Sequence, residues 1–327
     1  MDTISLHYFK ELTKDMNVTK CAKRLHLSQQ TLSNHIARLE KWCGATLFYR
    51  KPRLSLTSTG RHMLQYADRW LLEEQKLKDT VSDISAEQRG VIRFGASYAR
   101  YVTLLPEILP LFSNQYPNVS IDIVDNNAVQ LITQMLSGDL DIILSPRKDI
   151  LPTLDSTLLM STTVYLCVAD RLLKKYYGTE AETLKEKSLS GADLADFSKL
   201  PFYLINPPNS LGSRIAACFE EAGFIPRTYM RVETLRMSAI IASTGLAATF
   251  NTTVPLDTAL KTMSSDVNIF PLKSHGKLVH HNVYLIHYKN RYMPQYLRCF
   301  RNLIIDFYGR CQGRVQFDPF GRLKVTQ

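Results

Sequence analysis

Polar side chains suited to reading DNA bases recur on one side of a segment near the N-terminus. The segment opens at Ser28, and that side carries amides, hydroxyls and a guanidinium but almost no carboxylate: Gln29, Gln30, Ser33, Asn34 and Arg38. An Asn or Gln amide can pair with both N6 and N7 of adenine, and an Arg guanidinium with O6 and N7 of guanine. These residue types and their spacing predict a surface that enters the DNA major groove.

A helix is the element that would hold these side chains on one face. Leu32, Ile36 and Leu39 recur at helical spacing and point the opposite way, and the opening serine can cap the first turn. A short helix capped by Thr19 and a tight turn at His26-Leu27 precede it, which predicts a helix-turn-helix. The alternative is an ordinary helical hairpin with a polar outer face.

The charge of the chain is concentrated in the same region. The net charge is +10, and residues 1–57 hold ten Lys and Arg against four Asp and Glu. The remaining 270 residues hold 30 basic and 26 acidic side chains. A short segment with most of the positive excess is the electrostatic pattern of a module that binds phosphates.

Two short strand-like runs follow the helix. Gly44 is a natural helix stop, and Leu47 and Phe48 are expected to enter the core. The basic turn Arg50-Lys51-Pro52-Arg53 then precedes the alternating run Leu54-Ser55-Leu56. This pattern predicts a wing that contacts phosphates or the minor groove, and an ordinary solvated turn is the alternative.

The same residues resemble the DNA-binding domain of LysR-type transcriptional regulators. The resemblance has no gap and includes polar positions outside the core: Cys21-Ala22, Leu25-His26-Leu27-Ser28-Gln29, Leu32-Ser33, Ile36, Leu39-Glu40, Gly44, Leu47-Phe48, Arg50, Leu56-Thr57 and Gly60. The chain departs from the family at Cys21, which is usually Ala, and at Gln30, which is usually Pro or Ser. Asn34-His35 replaces a more basic pair, which could alter operator preference.

The resemblance implies a partner and a set of roles. The partner is double-stranded DNA at a promoter or operator, and Gln29 would be a principal base-reading residue. Further base or phosphate contacts would come from Thr31, Asn34 and Arg38, and anchors on the DNA backbone from Arg50 and Arg53.

A long helix is predicted after the wing. Thr57 can cap it, and Gly60 to Ile84 contains no proline and no further glycine. Its apolar residues fall close to a heptad stripe: Met63, Tyr66, Trp70, Leu77, Val81 and Ile84. A helix of ~28 residues would run about 42 Å, more than a small domain needs. We expect it to pair antiparallel with its twin, as in the resembled family. The alternative is packing on the N-terminal domain alone.

The rest of the chain alternates strands and helices. Strands are predicted at 90–95, 119–124 and 141–145, with helices at 101–116 and 129–136 between them. This order implies a parallel sheet with right-handed crossovers. A second unit follows, with strands at 164–169, 201–205, 230–232 and 245–250, helices at 212–222 and 236–243, a returning strand at 282–287 and a final helix at 294–308.

Two α/β lobes joined by two crossing strands resemble periplasmic binding proteins and the effector domain of LysR-type regulators. The predicted fold is therefore an α/β multidomain chain. Its parts are a winged helix-turn-helix (1–57), a linker or dimerisation helix with a hinge at 85–88 (58–88), a two-lobed effector domain (89–309) and a tail (310–327). Lobe I comprises 89–161 and 287–309, and lobe II comprises 162–286.

In open α/β lobes, ligands bind at the carboxyl ends of strands, where helix N-termini favour anions. This rule names candidates in lobe I and lobe II: Ser97, Tyr98, Asn126, Asn127, Pro146, Arg147, Asn206, Ser210, Thr249 and Phe250. The resemblance places Ser97, Asn126-Asn127, Asn206-Pro207 and Phe250 around the effector. Arg100 and Arg147 could pair with a carboxylate, which favours a small anion. The alternative is that these are ordinary loop residues.

Several other classes of function lack support in the sequence. No stretch approaches the ~20 apolar residues of a membrane span, and the start lacks a secretory signal, so we expect a cytoplasmic protein without a membrane partner. The six cysteines form no Cys-x-x-Cys pair, and His280-His281 has no third ligand nearby, so neither a metal nor a cofactor is expected.

These observations predict a transcription factor, not an enzyme, that responds to a small molecule as a homodimer or homotetramer and possibly contacts RNA polymerase. No Gly-x-Ser-x-Gly, phosphate-binding glycine loop or metal set appears. The alternatives are an enzyme or solute-binding domain fused to a DNA anchor, and an architectural or redox-sensing DNA-binding regulator. The role of the tail is left open.

Overall fold

The structure is a computed structural model, and its residues fall into two units. It describes residues 2–84, 89–149, 151–207, 209–233, 236–260, 262–317 and 323–325. The division between the units falls after Glu87. The predicted hinge at 85–88 lies outside the described residues.

The first unit consists of helices and one short hairpin, as the sequence predicts for a winged helix-turn-helix. Its elements are α1 (Thr3–Asp15), α2 (Val18–Arg24), α3 (Gln29–Cys43), β1 (Phe48–Tyr49), β2 (Ser55–Leu56) and α4 (Ser58–Ile84). The two strands pair antiparallel, with Phe48 opposite Leu56.

Helix α3 forms as its sequence pattern predicts. Leu32, Ile36 and Leu39 are buried against the other helices. The Ser28 hydroxyl accepts a hydrogen bond from the amide of Thr31 at 3.0 Å, which satisfies a free donor of the first turn. Gly44 ends the helix at φ 66°, a left-handed conformation that a side chain would oppose.

The cap of helix α2 differs from the prediction. Asn17, not Thr19, is the N-cap, and its Oδ1 accepts from the amide of Lys20 at 2.9 Å. Thr19 lies within the helix because Val18 already begins it. Asn is an equally good cap, so the sequence alone did not separate the two choices.

The core of the first unit joins α1, α3, the hairpin and the start of α4. Phe9 packs on Phe48 with ring centroids 5.3 Å apart. Leu47 is fully buried. A Cβ built at position 60 would lie only 2.1 Å from the carbonyl oxygen of Leu47. Gly60 therefore allows α4 to approach the hairpin closely.

The first half of the second unit is the predicted parallel βαβαβ unit. It comprises β3 (Gly90–Ala96), α5 (Tyr98–Gln115), β4 (Val119–Asp125), α6 (Ala128–Leu136) and β5 (Ile142–Ser145). Strand β3 pairs parallel with both β4 and β5. Helix α5 begins three residues before the predicted start.

The second half contains more elements than the sequence analysis identified. They are β6 (Leu154–Ala169), α7 (Asp170–Tyr177), α8 (Ala181–Ser188), β7 (Ala192–Asp193), β8 (Pro201–Ile205), α9 (Ser210–Glu221), β9 (Arg227–Val232), α10 (Ser238–Thr244), β10 (Thr249–Thr252), α11 (Thr253–Leu260), β11 (Val267–Ser274), β12 (Lys277–Leu278), β13 (His280–Tyr288), α12 (Gln295–Arg314), β14 (Val315–Phe317) and β15 (Leu323–Val325). Strand β10 starts later than predicted because Gly245, at φ 64°, ends α10 in a turn.

Strands β6 and β13 connect the two halves. They run antiparallel from His280 opposite Thr163 to Tyr288 opposite Leu154. Strand β13 also pairs with β5, and β6 also pairs with β10 and β11. One sheet in the order β12-β11-β6-β13-β5-β3-β4 therefore continues from one half into the other.

Two separate apolar clusters fill the halves. One gathers Phe94, Phe112 and Phe300, so the final helix α12 packs on the first half. The other gathers side chains of β6, β8, α9 and β10, including Phe202 and Phe219. Two cores flanking a pair of connecting strands agree with the predicted two-lobed architecture.

Candidate functional site

The outer face of α3 presents the predicted polar set to solvent. Six of the residues named for DNA contact are exposed and Ser33 is half-buried; the exposed ones are Ser28, Gln29, Gln30, Thr31, Asn34 and Arg38. Gln30 Nε2 donates to Asn34 Oδ1 at 3.2 Å, and Arg38 Nη1 lies 3.4 Å from Asp2 Oδ2. The Gln29 side chain has no such contact within the described residues, so its amide is available to a ligand.

An ion cluster ties α2 to α1. Arg24 Nη2 lies 2.6 Å from Asp15 Oδ2, and Arg24 also pairs with Glu11. Burial alone would lower the pKa of Arg24, but the two carboxylates raise it. The hydrogen bonds of Arg24 and of Lys20 lower the pKa of Asp15. The cluster therefore stays ionised near neutral pH and fixes the helix that precedes the turn.

The predicted wing is present, and its arginines are exposed. Arg50 Nη2 lies 3.5 Å from Glu40 Oε2, and Glu40 Oε1 accepts from the Leu47 amide at 2.8 Å. Arg50 and Arg53 line, together with Ser33 of α3, one groove of about 610 Å³. The structure thus brings the wing arginines beside Ser33, one of the DNA-contact candidates of α3.

The apolar stripe of α4 divides into two parts. Met63 is buried in the first unit, and Tyr66 stacks on Trp70 with ring centroids 6.3 Å apart. Farther along, Leu77 is 63% exposed and Val81 is 55% exposed. The start of the helix therefore packs on its own domain, while Leu77 and Val81 are exposed, and pairing with a second copy stays a prediction. The side chain of Ile84 lies outside the described set.

In lobe I, several of the candidates at the strand ends form hydrogen bonds with nearby residues. The Tyr98 amide donates to Asp125 Oδ1 at 3.0 Å, and Arg100 Nη1 donates to Ser97 Oγ at 3.2 Å. Asn127 caps α6 by accepting from the Gln130 amide at 3.1 Å. Asn126 Nδ2 lies 3.5 Å from Gln134 Oε1, and Arg147 is exposed after β5.

In lobe II, the turn after β8 is held by its backbone. The Asn206 amide donates to the Val232 carbonyl at 2.8 Å, and Asn209 caps α9, which begins at Ser210. Pro207 borders an apolar groove of about 490 Å³ between α9 and β9. The candidates at this turn therefore have structural roles as well as a position at a strand end.

Thr249 and Phe250 do not reach a surface. Both are fully buried, and the Phe250 ring lies 6.1 Å from that of Phe202 and 5.9 Å from that of Phe219. Strand β10 pairs antiparallel with β6, so the rule for parallel strand ends misplaces these two residues. We correct the expectation accordingly, because Phe250 belongs to the core of lobe II.

Arg236 is a contact between the lobes that the sequence analysis missed. Its guanidinium carbon lies 3.7 Å from the centroid of the Tyr98 ring, and Nη2 lies 3.6 Å from Asp125 Oδ2. A cation over a ring and beside a carboxylate is attracted to both. Arg236 follows strand β9. The rule that ligands bind at the carboxyl ends of strands, applied to β9, therefore identifies Arg236 as a candidate.

The crossing strands contribute a second group that sequence reasoning missed. His281 Nε2 and Asn282 Oδ1 are buried, and in the described part of the chain neither atom has a hydrogen-bond partner. Burial, together with the positive charges of Arg100 and Arg214, lowers the pKa of His281 to about 3.

Cys167 and Cys218 are poorly suited to redox sensing. Burial raises the pKa of Cys167 to about 12 and that of Cys218 to about 11. A buried thiol that stays protonated is inert, since the thiolate is the reactive form.

Metal binding and membrane spanning find no support in the described part of the chain. His, Cys, Asp and Glu side chains nowhere gather there in a group of three suited to a metal ion. Within the same residues, no helix combines the length and apolar character needed to cross a bilayer.

Comparison with protein families gives two matches. Residues 4–61 match the family described as bacterial regulatory helix-turn-helix protein, lysR family. Residues 85–308 match the LysR substrate binding domain. Together the two matches cover both units of the structure.

Individual relatives match this chain over about half of their own length. The uncharacterized HTH-type transcriptional regulator YybE of Bacillus subtilis is 34% identical over 145 residues, which is 44% of this chain and 50% of that protein. The HTH-type transcriptional regulator IlvY of Escherichia coli is 29% identical over 153 residues, 46% of this chain and 52% of that protein. The chain thus matches about half the length of these curated relatives.

Solved structures share the fold over nearly the whole chain. Full-length OxyR from Pseudomonas aeruginosa superimposes with a TM-score of 0.67 at 16% identity, covering 98% of this chain and 99% of that one. ArgP from Mycobacterium tuberculosis gives 0.65 at 14% identity, covering 94% and 97%. Full-length CbnR in complex with its target DNA gives 0.55 at 20% identity, covering 93% and 99%. At such identities the likeness concerns the fold alone.

Proposed function

Because the chain belongs to the LysR family of bacterial helix-turn-helix regulators, we propose that it is a sequence-specific transcriptional regulator controlled by a small-molecule effector. One observation carries the proposal. The exposed face of α3 presents amides, hydroxyls and a guanidinium on a helix whose opposite face is buried and whose start is capped. Such a face fits the major groove, where donor and acceptor patterns distinguish all four base pairs.

The electrostatics of the first unit support binding to duplex DNA. The excess of basic over acidic residues lies mainly in residues 1–57. Arg50 and Arg53 on the wing are exposed beside α3. We assign them to phosphates, which set the register, and we assign Gln29 to base edges, which set specificity.

Helix α4 supports a dimer. Its exposed apolar residues Trp70, Leu77 and Val81 would lose contact with water against the same helix of a second copy. Two recognition helices one DNA turn apart would then read a two-fold operator. We propose a homodimer, or a homotetramer built from two dimers, which acts on the chromosome in the cytoplasm and contacts RNA polymerase there.

The two lobes support control by a ligand. Strands β6 and β13 join them, and Arg236 bridges from one lobe to Tyr98 and Asp125 of the other. A small anion or carboxylate between the lobes would favour one arrangement of them. By linkage, effector and DNA must change each other's affinity by the same factor. The protein acts by binding in this scheme, without a catalytic step.

Selection from a pool of random duplexes tests the proposal. We expect the full-length protein to enrich a two-fold symmetric site whose half-sites are separated by about one helical turn, 10–10.5 base pairs, or a multiple of it. DNA next to the protein's own coding region is the first natural sequence to compare with the selected site. Failure to enrich any sequence after repeated rounds at moderate salt would contradict the proposal.

A further inference from the structure

His35, on α3, lies among the residues assigned to DNA. Thr31 is four residues before it and Arg38 is three residues after it, so the three side chains are neighbours on the surface of the helix. Thr31 and Arg38 are exposed, and His35 is half-buried. A side chain at this place is within reach of DNA that contacts the polar face of α3.

The start of α1 holds one nitrogen of the His35 ring. Ser5 Oγ lies 2.9 Å from His35 Nδ1 and 3.0 Å from Asp2 Oδ2. Asp2 is the N-cap of α1, and its Oδ1 accepts from the Ser5 amide at 2.6 Å. The Tyr8 ring packs edge-on against the imidazole, with ring centroids 4.9 Å apart. A hydrogen bond and a ring contact, both from α1, thus orient the imidazole.

The positions of the protons in this chain of hydrogen bonds follow from the number of donors. Ser5 has one hydroxyl proton, and an ionised carboxylate can only accept. Hydrogen bonds from the amide and the hydroxyl of Ser5 lower the pKa of Asp2, so this carboxyl is ionised near neutral pH. The hydroxyl proton of Ser5 therefore goes to Asp2 Oδ2, and Ser5 Oγ accepts a hydrogen bond from Nδ1–H of His35.

The other ring nitrogen of His35, Nε2, is left as an acceptor. A neutral imidazole carries its proton on only one nitrogen, and the hydrogen bond that this nitrogen makes decides which one it is. With the proton on Nδ1, Nε2 keeps a lone pair. Among the residues that the structure describes, none forms a hydrogen bond with Nε2. This atom is therefore available to a donor on a bound molecule.

We propose that His35 reads a base, and that Ser5 and Asp2 determine which bases it prefers. The inference rests on the proposed function and deepens it, because it names a determinant of operator preference. In the major groove, adenine N6 and cytosine N4 are donors, while guanine O6 and thymine O4 are acceptors. A nitrogen that only accepts selects adenine or cytosine at the contacted position. Phosphate oxygens are acceptors too, so the same nitrogen does not favour the DNA backbone.

Asp2 also acts on a second candidate for DNA contact. Arg38 Nη1 lies 3.4 Å from Asp2 Oδ2, the oxygen that accepts from the Ser5 hydroxyl. One carboxylate at the start of α1 thus contacts Arg38 directly and His35 through Ser5. Asp2 and Ser5 are positioning residues in this scheme, since neither has to touch the DNA.

Selection from random duplexes with the full-length protein tests the reading role of His35. The selections are run at about pH 8, where imidazoles are mostly neutral. The wild-type protein should select adenine or cytosine at one position of each half-site. His35→Asn keeps a group that can donate to Ser5 Oγ but has no atom in place of Nε2. We expect it to lose between about twofold and tenfold of the preference at that position, as for one hydrogen bond, and to keep the preferences elsewhere. His62→Asn, at an exposed site on α4, is the matched control and should select the wild-type site.

An isosteric change at Asp2 tests the positioning role. In Asp2→Asn, the Ser5 amide still takes the side-chain oxygen as its cap acceptor, so the new NH2 group faces Ser5 Oγ. The Ser5 hydroxyl then accepts from this NH2 group and donates to Nδ1 of His35, which leaves the ring proton on Nε2. We expect the preference at the same position to change from adenine or cytosine to guanine or thymine. Ser5→Ala should weaken this preference without reversing it, because the ring proton is then free to occupy either nitrogen.

Three outcomes would overturn the inference while the proposed function stands. If His35→Asn keeps every base preference of the wild-type protein, His35 reads no base. If His35→Asn instead binds all duplexes more weakly by the same factor, its contact is with a phosphate. If His35→Asn loses the preference but Asp2→Asn retains that of the wild-type protein, Ser5 and Asp2 do not determine it. Failure of the wild-type protein itself to select any site is a different result, because it would overturn the proposed function and the inference together.

Discussion

Gln29 is the first residue of α3, and its exposed side chain lies where a recognition helix meets base edges. Neighbouring polar residues are already engaged, since Gln30 donates to Asn34 and Arg38 lies beside Asp2. An amide that is free in the protein can use both its donor and its acceptor on a base. The account therefore assigns sequence reading to Gln29 first.

Replacing Gln29 tests this assignment. Gln29→Ala should cost about 1–3 kcal/mol of binding to the selected duplex and relax the base preference at one position. Fluorescence anisotropy with the selected duplex and its single-position variants measures both effects. Gln65→Ala, at an exposed site on α4, is the matched control and should change neither. Full base preference in Gln29→Ala would refute the role.

A wing arginine should behave differently from a base-reading residue. Arg53→Gln removes an exposed charge, so we expect weaker binding to every duplex by a similar factor. The slope of log affinity against log salt should fall by about 1, because one phosphate contact is lost. Titrations at several salt concentrations check this, with Lys277→Gln as the control for net charge. A loss confined to the selected duplex would contradict a phosphate role.

The residue types of the DNA-reading face could be predicted because they lie within one helix, whose period fixes their common side. The effector candidates were harder to predict. Thr249 and Phe250 follow the strand-end rule in sequence, but β10 runs antiparallel to β6 and buries them. Arg236 meets Tyr98 and Asp125 only through the packing of one lobe against the other, which no local pattern encodes.

Among the elements, α1 and α2 are held by the cluster of Arg24 with Glu11 and Asp15. Burial alone would raise the pKa of Glu11, but Lys14 and Arg24 lower it below its ordinary value of 4.5. The Arg24 hydrogen bond likewise lowers the pKa of Asp15 below 3.8. The stabilisation is thus present above these ordinary values and is lost as pH falls below them.

The stability of the first unit should follow this pH dependence. Urea unfolding is monitored by tryptophan fluorescence, because both tryptophans of the chain, Trp42 and Trp70, lie in that unit. We expect the urea concentration at the unfolding midpoint to decrease as the pH is lowered from 6 to 3. Arg24→Gln should lower this midpoint at pH 6 and make it depend less on pH. Lys23→Gln, on the same helix, is the control. An unchanged pH profile in Arg24→Gln would show that the cluster is not its source.

Helix α4 makes a prediction about assembly. Replacing both Leu77 and Val81 by Gln removes exposed apolar surface without opening a core, so the first unit should stay folded. We expect a shift from dimer toward monomer in light scattering and a loss of affinity for a two-fold duplex, because the second half-site then binds independently. Lys78→Gln is the control. A double variant that stays dimeric at low micromolar concentration would exclude this stripe as the interface.

Elements with a clear period and strong end signals were predicted well. Helix α3 has both, and the first βαβαβ unit alternates apolar strands with amphipathic helices. No local pattern predicts an element between 170 and 200, although the chain forms α7, α8 and β7 there. These elements are short, and their stability comes from packing on β6 and β11, so a local sequence pattern carries little of it.

For the molecule as a whole, the account joins two functions in one chain. The first unit offers a DNA-reading face and an apolar stripe for a second copy, and the second offers two lobes with connecting strands between them. Binding free energies at linked sites are reciprocal. An effector that changes duplex affinity must therefore bind with an equally changed affinity to the protein–duplex complex.

Equilibrium competition between the selected duplex and random duplex DNA tests the central claim most directly. At ~0.15 M salt, the full-length protein should prefer the selected duplex by about 10³-fold or more. Gln29→Ala should reduce that ratio while its affinity for random DNA stays unchanged. If random DNA competes as well as the selected duplex, the α3 face does not read base pairs and the account is wrong.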